Sequence, residues 1–362
     1  MSREGHAGLR RGWTTGACAA AAARAAFAGL LCGRFPDPVS LRLPHGRSAR
    51  FALALAERRE GRARAGVVKD AGDDPDVTHG ALVIAEVALA PRGSGIGFAA
   101  GEGVGTVTRA GLALAVGEPA INPAPRAMIR DALMDEAAIN GAPAPDVAVT
   151  ISIPGGERLA EKTMNARLGI VGGLSILGTT GVVIPYSCSS WIHSIRRGID
   201  VARAAGLAHL AAATGATSER AVQRLYDLPD HALIDMGDFV GGTLKYLRSH
   251  PVDRLTLAGG FAKLAKLAAG HLDLHSARSR VDAPALAAML EALGADPAAV
   301  QAAGQAGTAG EILALAGGRR PALARDVARR AREVALATLG GGTAIEVAII
   351  ERGGDLLALV GE

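Results

Sequence analysis

Aromatic side chains are scarce, at 3% of 362 residues, so there is little with which to stack unpaired bases, and nucleic acid is not an expected partner. Cysteines number only three. Cys18, Cys32 and Cys188 are far apart and odd in number, which fits neither a disulfide framework nor a paired zinc site and points to the cytoplasm by default. No charge of one sign dominates: 39 basic against 35 acidic residues give a formal +4 without runs, which leaves small acidic substrates open. No apolar run reaches the roughly 20 residues that cross a bilayer, so a membrane is not expected. Arg10-Arg11 ahead of the alanine-rich run Ala17 to Leu31 resembles a leader, but Arg24 interrupts it and alanine is a weak hydrophobe and the best helix former. The expectation is a folded helix capped by Thr14 or Thr15. Phosphate loops of the Gly-x-x-x-x-Gly-Lys-Ser/Thr kind, His-Glu-x-x-His and Gly-x-Ser-x-Gly are all missing, which counts against nucleotide triphosphatases and hydrolases. The nine histidines have no ligand spacing, and no resident metal is expected.

Glycine is abundant instead, at 48 residues, nearly double the usual share of about 7%. Four glycine-bearing phrases follow apolar runs: Leu177-Gly178-Thr179-Thr180-Gly181, Ala213-Thr214-Gly215, Ile234-Asp235-Met236-Gly237-Asp238 and Leu257-Ala258-Gly259-Gly260. Glycines at the carboxyl ends of strands let backbone amides approach a ligand, and repeated along a parallel sheet they build one crevice. At 49% hydrophobic content the chain can bury a large core, and its length favours two domains.

The first part, residues 1–184, reads as a mixed α+β domain: strands over Val39 to Leu43, Ala49 to Ala56, Ala65 to Val68, Ala81 to Leu89 and Val147 to Ile153, with a helix from about Pro125 to Ala138. Residues 185–362 read as a Rossmann-like α/β domain, with short buried strands at Leu207 to Ala213, Ala232 to Met236 and Arg254 to Ala258 alternating with helices. A helical stretch to Gly340 and a closing hairpin, Ala344 to Ile350 and Leu356 to Val360, complete it.

Gly93-Ser94-Gly95-Ile96-Gly97 mimics a dinucleotide loop, but no helical period follows, so hairpin turns are expected there. The loop Lys69 to Gly80 carries Asp70, Asp73, Asp74, Asp76 and His79. Its carboxylates could ligate a hard cation, steer a sulfonium or cap turns, and the spacing is not that of a calcium loop. Glu102, flanked by Gly101 and Gly103, is unusual for an ordinary turn.

Several phrases together resemble one family, the cobalt-precorrin-5B (C-1)-methyltransferases of the CbiD type. They are Gly12-Trp13-Thr14-Thr15-Gly16-Ala17-Cys18, Val68 to Gly80, Gly101 to Thr108, Gly117 to Pro123 with Pro125-Arg126, Arg167 to Gly181, and Met236 to Gly241. Two departures are Gly260, where the family has histidine before its x-Gly-Lys, and Tyr186, where methionine is common. The resemblance implies methyl transfer from S-adenosylmethionine to ring carbon C-1 of cobalt-precorrin-5B, an anionic tetrapyrrole, giving cobalt-precorrin-6A. A metal-free ring, a non-catalytic tetrapyrrole carrier and a homo-oligomer stay open. Methyl transfer from a sulfonium needs alignment and a dry pocket and no protein nucleophile. On this reading Gly172, Gly173, Gly178, Thr179, Thr180, Gly181, Gly215 and Gly237 line the donor crevice, with Asp235 or Asp238 accepting from ribose or ammonium. Lys69, Arg109, Arg126, Lys162, Arg167 and Lys263, with Thr14 and Thr15, meet the substrate's carboxylates. Asp70, Asp73, Asp74, His79 and Glu102 take or relay the proton lost on methylation.

Overall fold

In the computed structural model of the chain, residues 8–361 are described, and they divide into two compact units, one ending at Ser187 and the other beginning at Cys188.

The first unit is organised by one helix, Thr15–Cys32. Thr14 caps it by accepting a hydrogen bond from the Ala17 amide at 3.1 Å, and Gly33, in the left-handed region, closes it. Eight alanines between Ala17 and Ala26 are fully buried. A helix apolar on every side belongs inside a core, and the absence of bulk lets it lie close to the strands Arg62–Val68 and Leu82–Leu89 and to the helix Pro123–Ile139. Among the described residues this is the one helix long and apolar enough to cross a membrane, and 83% of it is buried in the protein. Arg24, the charge that interrupts the run, pairs at 2.9 Å with Glu136 of the neighbouring helix. The sheet runs in the order Leu55–Arg59, Arg62–Val68, Leu82–Leu89, Val147–Ser152, Ile96–Ala100, antiparallel until the last pair, which is parallel.

That order corrects the hairpin expected at Gly93 to Gly97. The strands on either side of the loop are not neighbours, because Val147–Ser152 lies between them. The Gly93 and Gly95 amides instead donate to the Asp146 carboxylate at 2.8 and 2.7 Å, so the protein's own anion fills the position a phosphate would need.

In the second unit five strands lie in the order Leu233–Asp235, His209–Ala213, Arg254–Gly260, Ala344–Ile350, Leu356–Val360. The first four are parallel, and the last returns antiparallel as the expected hairpin. One face, with Leu210, Ala212, Leu255, Leu257, Val347 and Ile349, packs under the helices Cys188–Ala204, Val240–Leu247, Phe261–Ala268 and Arg320–Leu339. The opposite face, with Ala211, Ala213, Ala258 and Ala348, meets the helix Ala216–Tyr226. Three of the four glycine phrases end strands of this sheet. Leu177 to Gly181 does not; it is a loop of the first unit, so a single crevice built by all four is ruled out.

Candidate functional site

Two constellations stand out, one in each unit. In the first unit, chain segments far apart in sequence knit around the aspartate loop. Trp13 donates its amide to the Asp70 carbonyl at 2.7 Å, Asp73 donates to the Arg10 carbonyl, and Gly12–Trp13 pairs with Val182–Val183. Thr15 Oγ1 donates to the Leu177 carbonyl at 3.2 Å and accepts from the Leu177 amide at 3.0 Å. Thr14, Thr15, the loop and Gly178 to Gly181 are therefore brought together.

Most of the loop's polar groups are occupied. The Arg10 guanidinium, bonded to the Asp70 carboxylate, lowers that acid to about pKa 2, with help from the Gly72 amide. The Arg10 amide donates to Asp73 at 2.6 Å, and the Tyr186 amide donates to Asp74 at 2.9 Å. Burial opposes ionisation of Asp76, but the Lys69 ammonium at 2.7 Å and the hydroxyl and amide of Thr78 outweigh it and hold the acid below its usual value. Lys69 is only 1% exposed. Its assignment to substrate carboxylates is thus corrected: a buried ammonium spent on Asp76 sets the shape of the loop. His79 Nδ1 accepts from the Ala71 amide at 3.1 Å, which places the proton of the neutral ring on Nε2. In this tautomer the ring donates, and it does not serve as a base. Asp70 is a poor proton acceptor for the same electrostatic reason that its anion is stable. Asp73 is the exposed aspartate of the loop, and Glu102 is exposed with a carboxylate that meets no partner among the described residues.

Glu102 sits in a second knot of backbone. Gly103, Gly156 and Gly173 approach so closely that a Cβ on any of them would overlap main chain, and Leu174 donates to the Gly103 carbonyl. Gly178 is pressed against Thr14, and Gly181 against Leu43. Gly173, Gly178 and Gly181 are thus filled by protein, which corrects their assignment to a donor crevice. Gly172, Thr179 and Thr180 are exposed, and the Thr180 hydroxyl turns to Val182. Arg126 donates to the carbonyls of Ile121 and Pro119 and pairs with Glu118, and Arg109 packs on Gly169 and reaches the Arg167 carbonyl at 3.4 Å. Both bind their own chain. Arg167 is half-buried, and Lys162 is exposed.

In the second unit the carboxyl ends of the strands behave differently. Taken in chain order the strands lie 2-1-3-4-5, so the direction of winding reverses between His209–Ala213 and Arg254–Gly260. At such a switch the connecting loops part and leave a crevice. Thr214 still donates to the Ala258 carbonyl at 2.9 Å; just beyond it stand Gly215 and Gly260, each opening a helix, Ala216–Tyr226 and Phe261–Ala268. A Cβ on Gly215 would meet nothing within 4 Å, and one on Gly260 only the Ile350 carbonyl at 4.0 Å. Lys263 donates to the Thr214 carbonyl at 2.9 Å, and its ammonium is 3.1 Å from Asp238 Oδ1. The angle is wrong for a hydrogen bond, and that buried oxygen keeps an unused acceptor. Trp191 donates to the Asp235 carbonyl at 3.0 Å, with its ring 3.4 Å from where a Gly237 side chain would begin. Asp235, Gly237, Asp238, Gly215 and Lys263 are thus gathered at one sheet edge. Sequence reading did not identify Arg10, Thr214 or Trp191 as parts of these sites. Arg10 was legible only as half of a leader-like pair, and nothing in the sequence places Trp191 beside Gly237.

Fold and sites together define an α/β protein whose first unit carries an acidic loop and whose second carries a strand-end crevice. The CbiD family model matches residues 2–185, and the model of the CbiD C-terminal domain matches residues 273–361. The chain is 59% identical to a cobalt-precorrin-5B C(1)-methyltransferase of Paramagnetospirillum magneticum over 96% of this chain and 97% of that one. A protein of the same name from Brucella anthropi is 58% identical over 97% and 96%. A crystal structure of the cobalamin biosynthesis protein CbiD from Archaeoglobus fulgidus is 30% identical, covering 75% of this chain and 83% of that chain with a TM-score of 0.41. The chain belongs to the CbiD family.

Proposed function

We propose that the chain transfers a methyl group from S-adenosylmethionine to C-1 of cobalt-precorrin-5B, the reaction for which its full-length relatives are named. A carbon–carbon bond forms at C-1 as the carbon–sulfur bond breaks. The electron pair leaves on the thioether sulfur, and the methylated ring gives up a proton. The observation that carries the reading is the open switch point of the second unit, with Gly215 and Gly260 bare and Asp238 Oδ1 unused. Two helix amino termini there favour the donor's carboxylate, and Asp238 suits its ammonium or ribose hydroxyls. Gly237 and Asp235 complete that wall. The macrocycle belongs to the first unit, with Asp73 and Glu102 as the carboxylates available for the departing proton. Exposed Thr179, Thr180 and Gly172, and Arg167, lie on the same unit.

The test is incubation of purified protein with donor and cobalt-precorrin-5B, followed by mass spectrometry. One added methyl is expected, and an unchanged substrate mass would refute the reading. Calorimetry with the donor alone distinguishes it from a carrier that binds only the tetrapyrrole.

A further inference from the structure

A cleft of about 260 Å³ opens on the first unit beside the amino end of the aspartate loop. Its floor is apolar: Trp13 and Phe51, with ring centroids 5.3 Å apart, and Val67 and Val68. Val68 is 51% exposed, unusual for a valine at the end of a core strand. Two ionisable residues line it. Asp70 is bonded to Arg10 and the Gly72 amide, so its charge is balanced. Arg50, on the strand Ser48–Phe51, is exposed and meets no acid, carbonyl or ring among the described residues. An apolar floor with one unmatched guanidinium at its rim is complementary to a flat apolar group that ends in a carboxylate.

We propose that this cleft receives one edge of the anionic tetrapyrrole, a single pyrrole-derived ring lying on Trp13 and Val68 while its acetate or propionate pairs with Arg50. The inference rests on the proposed reaction for the identity of its ligand, and adds where that ligand is held. The cleft is too small for a whole macrocycle, so the remainder of the ring projects beyond it. Asp70 forms one wall and begins the acidic loop, so an edge seated here sits beside that loop. Arg50 is a binding residue, and its loss acts on capture of the corrinoid and not on the donor.

The experiment compares the parent chain with Arg50→Glu and Arg50→Lys, all checked by thermal melting. It measures KM for cobalt-precorrin-5B, KM for S-adenosylmethionine, and equilibrium binding of cobyrinic acid, a corrinoid polycarboxylate that needs no turnover. Arg50→Glu is expected to weaken cobyrinic acid binding and raise the corrinoid KM by about tenfold, leaving kcat and the donor KM unchanged, and Arg50→Lys to restore most of the loss. An Arg50→Glu chain that melts like the parent and keeps both its corrinoid KM and its cobyrinic acid binding, a parent that binds none included, overturns the cleft. A parent that binds cobyrinic acid through Arg50 yet transfers no methyl group sinks the proposed reaction and leaves the cleft standing.

Discussion

The glycines of the two units look alike in sequence and differ in what occupies the space where a side chain would be. In the first unit Gly103, Gly173 and Gly178 face main chain or Thr14 at distances no Cβ could keep, so their lack of a side chain is consumed by packing. In the second unit Gly215 and Gly260 face open space at the strand ends. A glycine required by the fold and a glycine left for a ligand are thus told apart by their neighbours, and the substitutions that separate them should have opposite signatures.

The largest effect is expected for Gly103→Ala. The new methyl would overlap the Ile153 carbonyl, and the backbone is in the left-handed region, so stability should fall by more than about 4 kcal/mol or folding should fail. A normal melting curve would refute the packing role. Next comes Asp76→Asn, which strands the buried Lys69 ammonium and should cost about 3–5 kcal/mol by chemical denaturation. Gly215→Ala should do the reverse of Gly103→Ala: its backbone is extended and uncrowded, so stability should move by less than about 0.5 kcal/mol, while donor affinity in calorimetry drops by about tenfold, near 1.4 kcal/mol. If donor binding is untouched, the crevice is not the donor site.

The smallest effect concerns pH. Asp70 falls from 3.8 to about 2 in the folded chain because Arg10 favours its anion. The unfolded chain therefore binds the proton more readily, and the contribution is complete above the unfolded value and lost as pH falls from 3.8 towards 2. Both partners are largely exposed, so the loss should be slight. It should disappear in Asp70→Asn when melting temperature is followed across that range; an unaltered acid profile would remove Arg10 from the account.

The elements themselves were largely legible. Alanine periodicity from Ala17, the Thr14 cap and the short apolar runs at Leu210, Ile234 and Leu255 identified the core helix and the parallel strands, because local propensity and burial pattern agree there. The aspartate loop was legible as a unit but not in its parts. That Lys69 points inward to Asp76, that Arg10 grips Asp70, and that His79 accepts from Ala71 depend on partners placed by the turn of the loop.

By itself, then, the amino-acid sequence determined the element types, a two-part chain, the strand-end glycines of the second unit and the family phrases, since each is written in local spacing. Only the tertiary structure decided that the Leu177 to Gly181 phrase belongs to a different unit from the parallel sheet, and which glycines are filled and which stand open. Whether a missing side chain leaves a vacancy depends on atoms brought from elsewhere in the chain, and no local pattern carries their positions.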